Sequence, residues 1–193
     1  MKYKLFTNFL SKDENKELMD WSLNVKEWQE SKVLSEDVKN WRKSNVYQPK
    51  IDDKHHILMD KILPLFPDLH NKYYGEYKKI SNIETQLTKS HDGDFYKAHP
   101  DNGDSGVFLN RKLTYVYYMH TLPKQFINGN LRIYEEIENP VQGRMYKTNK
   151  YIDIEPLNNT LIIFPSYLWH EVLPVRCALD WTYSRFTING WLH

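Results

Sequence analysis

From Phe95 almost to its end the chain reads as one short extended segment after another, and few folds accommodate that pattern. The candidate strands are Tyr96–His99, Leu113–His120, Asn130–Glu135, Tyr151–Ile154, Thr160–Phe164, His170–Val175 and Tyr183–Trp191. They are rich in Val, Ile, Tyr, Thr and Trp and are separated by Asn, Gly, Pro and Asp, the residues that punctuate strands. Upstream the pattern is helical. Ser11 and Glu14 form a capping box, and Leu18, Met19, Trp21 and Val25 recur at helical spacing, which predicts a helix over 12–25. A second helix is predicted over 52–63 from Ile57, Leu58, Ile62 and Leu63, with Pro64 and Pro67 stopping it. Residues 26–50 read as a polar loop ending in a short strand near Asn45–Tyr47. From Lys79 the chain turns extended through Ile80, Ile83, Thr85 and Leu87 into a loop at Ser90–Asp94.

Helices first and seven or so strands afterwards predict an α+β, mainly β fold. Its core is a double-stranded β-helix, or jelly roll, with the N-terminal helices packed on one sheet. At 193 residues, with no repeat, low-complexity run or linker, a single domain is expected. Residues 1–78 would form its helical part and 79–193 its jelly-roll core. Lysine and arginine number 26 against 25 acidic residues, so nothing argues for a nucleic-acid partner. The lone cysteine, Cys177, excludes an intrachain disulfide framework and suits a reducing compartment. The first ten residues hold too short an apolar run for a signal peptide, and no run approaches a membrane span. A cytoplasmic protein with no membrane association is expected, and its oligomeric state is not legible.

Within the strands one stretch carries chemistry, Tyr96-Lys97-Ala98-His99-Pro100-Asp101. Alternate residues of a strand share a face, so His99 and Asp101 can enter one cavity together. The spacing is cheap in a chain with 8 histidines, but its place at a strand–loop junction is where a rigid scaffold presents ligands. His170 follows the apolar run Leu161-Ile162-Ile163-Phe164-Pro165 and opens another strand. If the fold brings it beside the first pair, two histidines and a carboxylate hold one side of a metal. That is the ligand set of non-haem Fe(II) oxygenases. The other histidines are less apt. His55 and His56 fall on a predicted helix, His70 in a polar loop and His91 in a flexible acidic loop. His193 ends the chain, and His120 ends a strand where it could support the site.

Such oxygenases need a co-substrate that supplies electrons, and 2-oxoglutarate does so by oxidative decarboxylation. Its far carboxylate calls for a fixed cation, which arginine meets with a two-pronged fork. On the last strand Ser184, Phe186 and Ile188 share one face, while Arg185, Thr187 and Asn189 take the other. Arg185 is the candidate, and Arg176, on a predicted turn beside Cys177, is its rival.

Six segments in order resemble the prolyl 4-hydroxylase-like branch of the 2-oxoglutarate/Fe(II) dioxygenase superfamily. They are Tyr96-x-x-His99-x-Asp101, the strand Leu113–Tyr118, Gly129–Tyr134, Ile154 through Phe164, His170–Val175, and Arg185 to Trp191. The resemblance implies that His99, Asp101 and His170 bind iron and that Arg185 holds the distal carboxylate of 2-oxoglutarate. Tyr118 would add its hydroxyl there, Tyr96 would support co-substrate or substrate, and Asn189 and Trp191 would line the pocket. Asn128-Gly129 stands where the branch often has two glycines, and His120 where asparagine is common. The spacing from His170 to Arg185 is long, which predicts a longer loop through Arg176–Asp180 at the cavity rim.

The expected activity uses Fe(II), 2-oxoglutarate and O2, with ascorbate as in vitro reductant, and yields succinate and CO2. It would hydroxylate an aliphatic carbon of a prolyl or other amino-acid residue in a peptide or protein, or of a free amino acid. Rim loops near 30–50, 90–95, 102–111 and 138–150 would select the substrate. The same site could instead serve a small-molecule pathway by hydroxylation, desaturation or cyclisation. A non-catalytic ligand-binding jelly roll would keep the strands without the metal residues, and a cupin-type isomerase would carry more histidines.

Overall fold

The computed structural model describes residues 2–31, 38–139 and 144–193. Strand β1 (Lys4–Thr7) leads into helix α1 (Lys12–Asn24), followed by β2 (Gln29–Glu30), the short helix α2 (Val38–Trp41), β3 (Arg42–Lys43) and β4 (Asn45–Tyr47). Helices α3 (His56–Ile62) and α4 (Phe66–Tyr74) come next. Then run β5 (Ile83–Ser90), β6 (Phe95–His99), β7 (Leu113–Met119), β8 (Ile127–Asn128), β9 (Leu131–Asn139) and β10 (Arg144–Ile154). The chain closes with β11 (Thr160–Pro165), β12 (His170–Val172), β13 (Val175–Arg176) and β14 (Arg185–Leu192).

The strands form two facing antiparallel sheets. The larger runs β1-β11-β7-β14-β5-β4-β2 and the smaller β10-β9-β12-β6-β3, with β13 and β8 pairing separately. This is the expected mainly-β double-stranded β-helix. Strand β7 shows how it is layered, because all seven of its residues are buried. Leu113, Tyr115, Tyr117 and Met119 pack with Leu18, Leu58, Ile62 and Phe66 of the helices. Val116 and Tyr118, pointing the other way, pack between the sheets with Leu131, Ile133, Ile162 and Phe164. A strand covered on both faces loses the apolar–polar alternation of a half-exposed one.

The capping box at the start of α1 forms as expected. Ser11 Oγ accepts from the Glu14 amide at 3.2 Å, and Glu14 Oε2 accepts from the Ser11 amide at 2.8 Å. The second helix ends at Ile62, just before Pro64 and close to the expected end at 63, but helical structure continues beyond it. After α3 the chain passes through a 3-10 turn, Leu63–Leu65, straight into α4, with Pro64 and Pro67 both in first-turn positions. Proline is tolerated there because the amide it lacks has no helical partner. His70, expected in a polar loop, is therefore buried on α4. The N-terminal part is not only helical, since β1, β2 and β4 extend the larger sheet and β3 extends the smaller one. The segment 138–150, expected as a rim loop, largely belongs to the β9–β10 hairpin, with a register shift between Lys147 and Tyr151. Its residues 140–143, like residues 32–37 of the first rim segment, lie outside the described residues. Among the described residues no helix is long and apolar enough to cross a membrane.

Candidate metal and dicarboxylate site

Antiparallel pairing of β6 with β12 sets His99 directly opposite His170, and the turn after β6 brings Asp101 between them. One donor atom from each of the three lies within 4.8 Å of the others. His99 Nε2 is 3.6 Å from Asp101 Oδ1, and His170 Nε2 is 3.2 Å from Asp101 Oδ2. All three side chains are buried. The tautomers follow from the partners. His99 Nδ1 lies 2.7 Å from the Lys97 carbonyl, and His170 Nδ1 lies 2.8 Å from the Leu168 carbonyl. A carbonyl only accepts, so each Nδ1 carries a proton; in the neutral ring Nε2 then turns its lone pair to the centre, and in the charged ring Nε2–H donates to Asp101, a proton that a bound metal would displace. Tyr96 stacks on the His99 ring at 3.6 Å between centroids, and Phe164 meets the His170 ring edge-on at 4.9 Å.

Burial alone would raise the Asp101 carboxyl, but the charge of His170 and hydrogen bonds from both histidines hold it well below the usual range. Burial pushes His99 down, reinforced by the neighbouring charge of His170. His170 is also pushed down by burial, but Asp101 outweighs that and leaves it raised. An ionised carboxylate between two imidazoles is the state a divalent cation requires.

These residues line a cavity of about 1270 Å³ between the sheets. From β14, Arg185, Thr187, Asn189 and Trp191 face into it, while Phe186, Ile188 and Leu192 enter the helix-side core. The alternation read from the sequence therefore holds. Arg185 is only 3% exposed, its Nε has no hydrogen-bond partner, and its guanidinium sits 5.1 Å from the centre of the Tyr118 ring. The buried Tyr118 hydroxyl also has no hydrogen-bond partner, and burial pushes it up to about 12 against the pull of Arg185. Burial likewise lowers Arg185, with Tyr118 opposing. Arg176, the rival, is exposed on β13. Gly129 explains how this pocket closes. It sits at φ +70°, next to Asn128 at φ 60°, and a Cβ there would come within 2.9 Å of Val175 and 3.0 Å of Arg185 Cδ.

The profile of the 2OG-Fe(II) oxygenase superfamily matches residues 85–193, more than half of the chain. The chain belongs to that superfamily. An uncharacterised PKHD-type hydroxylase of Synechocystis is 33% identical over 98% of this chain, which spans 62% of that protein's length. Two solved structures share the fold. A prolyl hydroxylase from Trichoplax adhaerens, in complex with a peptide fragment of the hypoxia-inducible-factor oxygen degradation domain, superposes with a TM-score of 0.70 at 20% identity. That match covers 99% of this chain and 83% of the other. A Pseudomonas putida prolyl-4-hydroxylase gives 0.68 at 19% identity, covering 100% of this chain and 92% of the other.

The residues present fit the two groups for which this superfamily is named. Two neutral imidazoles and one carboxylate on one side of a point suit Fe(II). A buried guanidinium and a buried phenol, each left with an unpaired polar atom, suit one end of a dicarboxylate.

Other lining residues had no sequence signal. Arg42 on β3 bonds Ser44 Oγ at 3.1 Å and Gln86 Oε1 at 3.0 Å, and lies 4.7 Å over Tyr96. It comes from a polar segment with no periodicity. Arg111 is clamped by Glu84 at 2.7 and 2.5 Å and stacks on Trp191 at 3.6 Å, and His193 joins Glu84 at 2.8 Å. Rim segments 30–50, 90–95 and 102–111 all contribute to the wall, and among the described residues none of 138–150 does. The long connection after His170 is not at the rim either. It folds over the turn before β6, where Cys177 N donates to Asp92 and Ser184 Oγ meets His91 Nδ1 at 3.0 Å. His120 is buried against Phe126, away from the lining.

Proposed function

We propose that the protein is an Fe(II)/2-oxoglutarate-dependent dioxygenase that hydroxylates an aliphatic carbon of a prolyl or other amino-acid residue in a peptide or protein. The reading rests on one observation. A buried His99–Asp101–His170 cluster shares its cavity with a buried arginine that has no carboxylate partner among the described residues. His99 Nε2, His170 Nε2 and Asp101 would hold the iron, and Arg185 with Tyr118 would hold the far carboxylate of 2-oxoglutarate. Iron, 2-oxoglutarate and O2 together supply an oxidant strong enough for an unactivated C–H bond, with succinate and CO2 released.

The chain's own part is binding, orientation and exclusion of water. The Nδ1–H bonds to Lys97 and Leu168 keep both rings aimed at the centre. The packed sheets around Val116, Leu131 and Phe164 keep the floor dry. The cavity lining also includes Trp41, Phe95, Phe108 and Trp191, with Arg42 and Arg111. A cavity of about 1270 Å³ lined by flat apolar and cationic groups has room for a residue carried on a chain, which supports a peptide over a free amino acid. The near-neutral charge gives no footing for a nucleic-acid partner, and the lone cysteine suits the reducing cytoplasm.

The test is turnover by purified protein with Fe(II), 2-oxoglutarate, ascorbate and O2. Succinate is expected to form with wild type and not with Asp101→Ala, and a screen of proline-containing peptides should show gain of one oxygen atom. Equal succinate from both proteins, or from neither, would sink the reading. Oxygen gain only on free small molecules would move the substrate assignment to the biosynthetic class.

A further inference from the structure

Thr114 on β7 is 3% exposed, and Ser166, just past β11, is fully buried. Thr114 Oγ1 lies 2.7 Å from Asp101 Oδ2, and its other contact is Ser166 Oγ at 3.1 Å. The carboxylate can only accept and is the nearer, charged partner, so the Thr114 proton is directed at Asp101, with Ser166 Oγ as its second and longer acceptor. Ser166 also holds the ligand from behind, because its carbonyl accepts from the Asp101 amide at 2.8 Å and the Asn102 amide at 3.2 Å. Ser166 is itself tied to the sheet by its amide, which donates to the Lys112 carbonyl at 2.8 Å. Both ends of Asp101 are thus fastened to one residue, the backbone directly and the carboxylate through Thr114.

Strand stability does not require this hydroxyl. Valine has the same shape and high strand propensity, and the neighbouring cavity-facing position of β7 is Val116. Buried hydroxyls are retained where their partners need them.

We propose that Thr114, backed by Ser166, is a positioning residue that fixes the orientation of the Asp101 carboxylate and thereby sets the protein's metal affinity. The inference rests on the iron-site reading above. Hydrogen-bond partners of ligating carboxylates typically contribute about 10–100-fold to metal affinity.

The test is a titration of metal-free protein with Mn(II), free metal being read by electron paramagnetic resonance. Wild type, Thr114→Val, Thr114→Ser and Thr114→Val/Ser166→Ala are compared, alongside the unfolding midpoint of each metal-free protein. Thr114→Val is expected to weaken Mn(II) roughly 10–100-fold. Thr114→Ser should restore affinity to within a few-fold of wild type, because the hydroxyl returns. With metal saturating, 2-oxoglutarate should bind Thr114→Val and wild type alike, since the Arg185 end is untouched.

The double variant removes the unpaired Ser166 hydroxyl that Thr114→Val leaves behind. Its metal-free midpoint should therefore recover toward wild type while its Mn(II) affinity stays weak. If Thr114→Val binds Mn(II) as wild type does, or if affinity recovers together with the midpoint in the double variant, the proposal is wrong and Thr114 is structural. Failure of wild type itself to bind Mn(II) would refute the iron-site reading, a different outcome from either of these.

Discussion

Replacing Arg185 with methionine should separate stability from function. The guanidinium is 3% exposed, its Nε is unpaired, and it makes no ion pair among the described residues. A buried cation in that state is a net cost to the fold, so a flexible apolar side chain of similar length should leave the metal-free protein as stable or more so. In a chain of this size each kcal/mol moves the melting midpoint by about 2–4 °C. Ligand binding should respond in the opposite direction. Hydrogen bonds to a charged partner are worth about 1.5–3 kcal/mol each, and truncating one side of a buried charge pair costs about 2–5 kcal/mol. At about 1.4 kcal/mol per tenfold, Arg185→Met should weaken 2-oxoglutarate by roughly 30-fold to several thousand-fold. Calorimetric titration of Mn(II)-loaded protein measures the binding, and thermal unfolding of metal-free protein measures the stability. A dissociation constant changed less than about threefold, or a midpoint that drops by several degrees, would show that Arg185 serves the fold and not a carboxylate.

Other consequences are as specific. Asn159 sits at φ 57°, accepts from the Leu10 amide at 2.8 Å and the Tyr117 hydroxyl at 2.9 Å, and donates to the Leu10 carbonyl at 2.8 Å. Asn159→Ala should cost about 3 kcal/mol in urea unfolding, and a loss below about 1 kcal/mol would contradict that accounting. Gly129→Ala adds left-handed strain of about 1–2 kcal/mol and crowds Arg185, so 2-oxoglutarate binding should fall while Mn(II) affinity holds. Equal losses of both ligands would point to general unfolding instead. The Glu14 carboxyl is held at about 2, first by its bond to Lys61 and then by the Ser11 cap. A depressed acid stabilises above its unfolded value of about 4.3 and loses that contribution as pH falls toward 2. The stability gap between wild type and Glu14→Gln should therefore be largest above pH 5 and shrink on acidification. The gap should be small, because both partners are partly solvated.

Sequence reading reached furthest where information is local. Ser11 and Glu14 cap a helix by contacts three residues apart, and alternation on β14 sorts Arg185, Thr187 and Asn189 from Phe186 and Ile188 whatever the sheet pairs with. His99 and Asp101 likewise share a cavity because they are neighbours along the chain. It failed where a local signal has two outcomes. Pro64 and Pro67 can end a helix or occupy first turns, and only the packing of Phe66 and Leu69 into the core chose the second. The segment 138–150 reads as polar connection because its described side chains, residues 146–150, are exposed or half-buried on both faces of β10, which erases alternation.

What the chain determines by itself is the list of candidate ligands and, along β6 and β14, the faces that residues occupy, since strand geometry is set by residues one and two apart; Asp101 lies two residues past the end of β6 and enters from the turn. What only the tertiary structure decided is which distant residues share that cavity. Pairing of β6 with β12 places His170 against His99 across about seventy positions. Pairing of β3 with β6 brings in Arg42, and the ends of β5 and β14 bring Glu84, Arg111 and His193 together. Those contacts depend on register across sheets, which is fixed by burial of the whole core, and no single segment carries it.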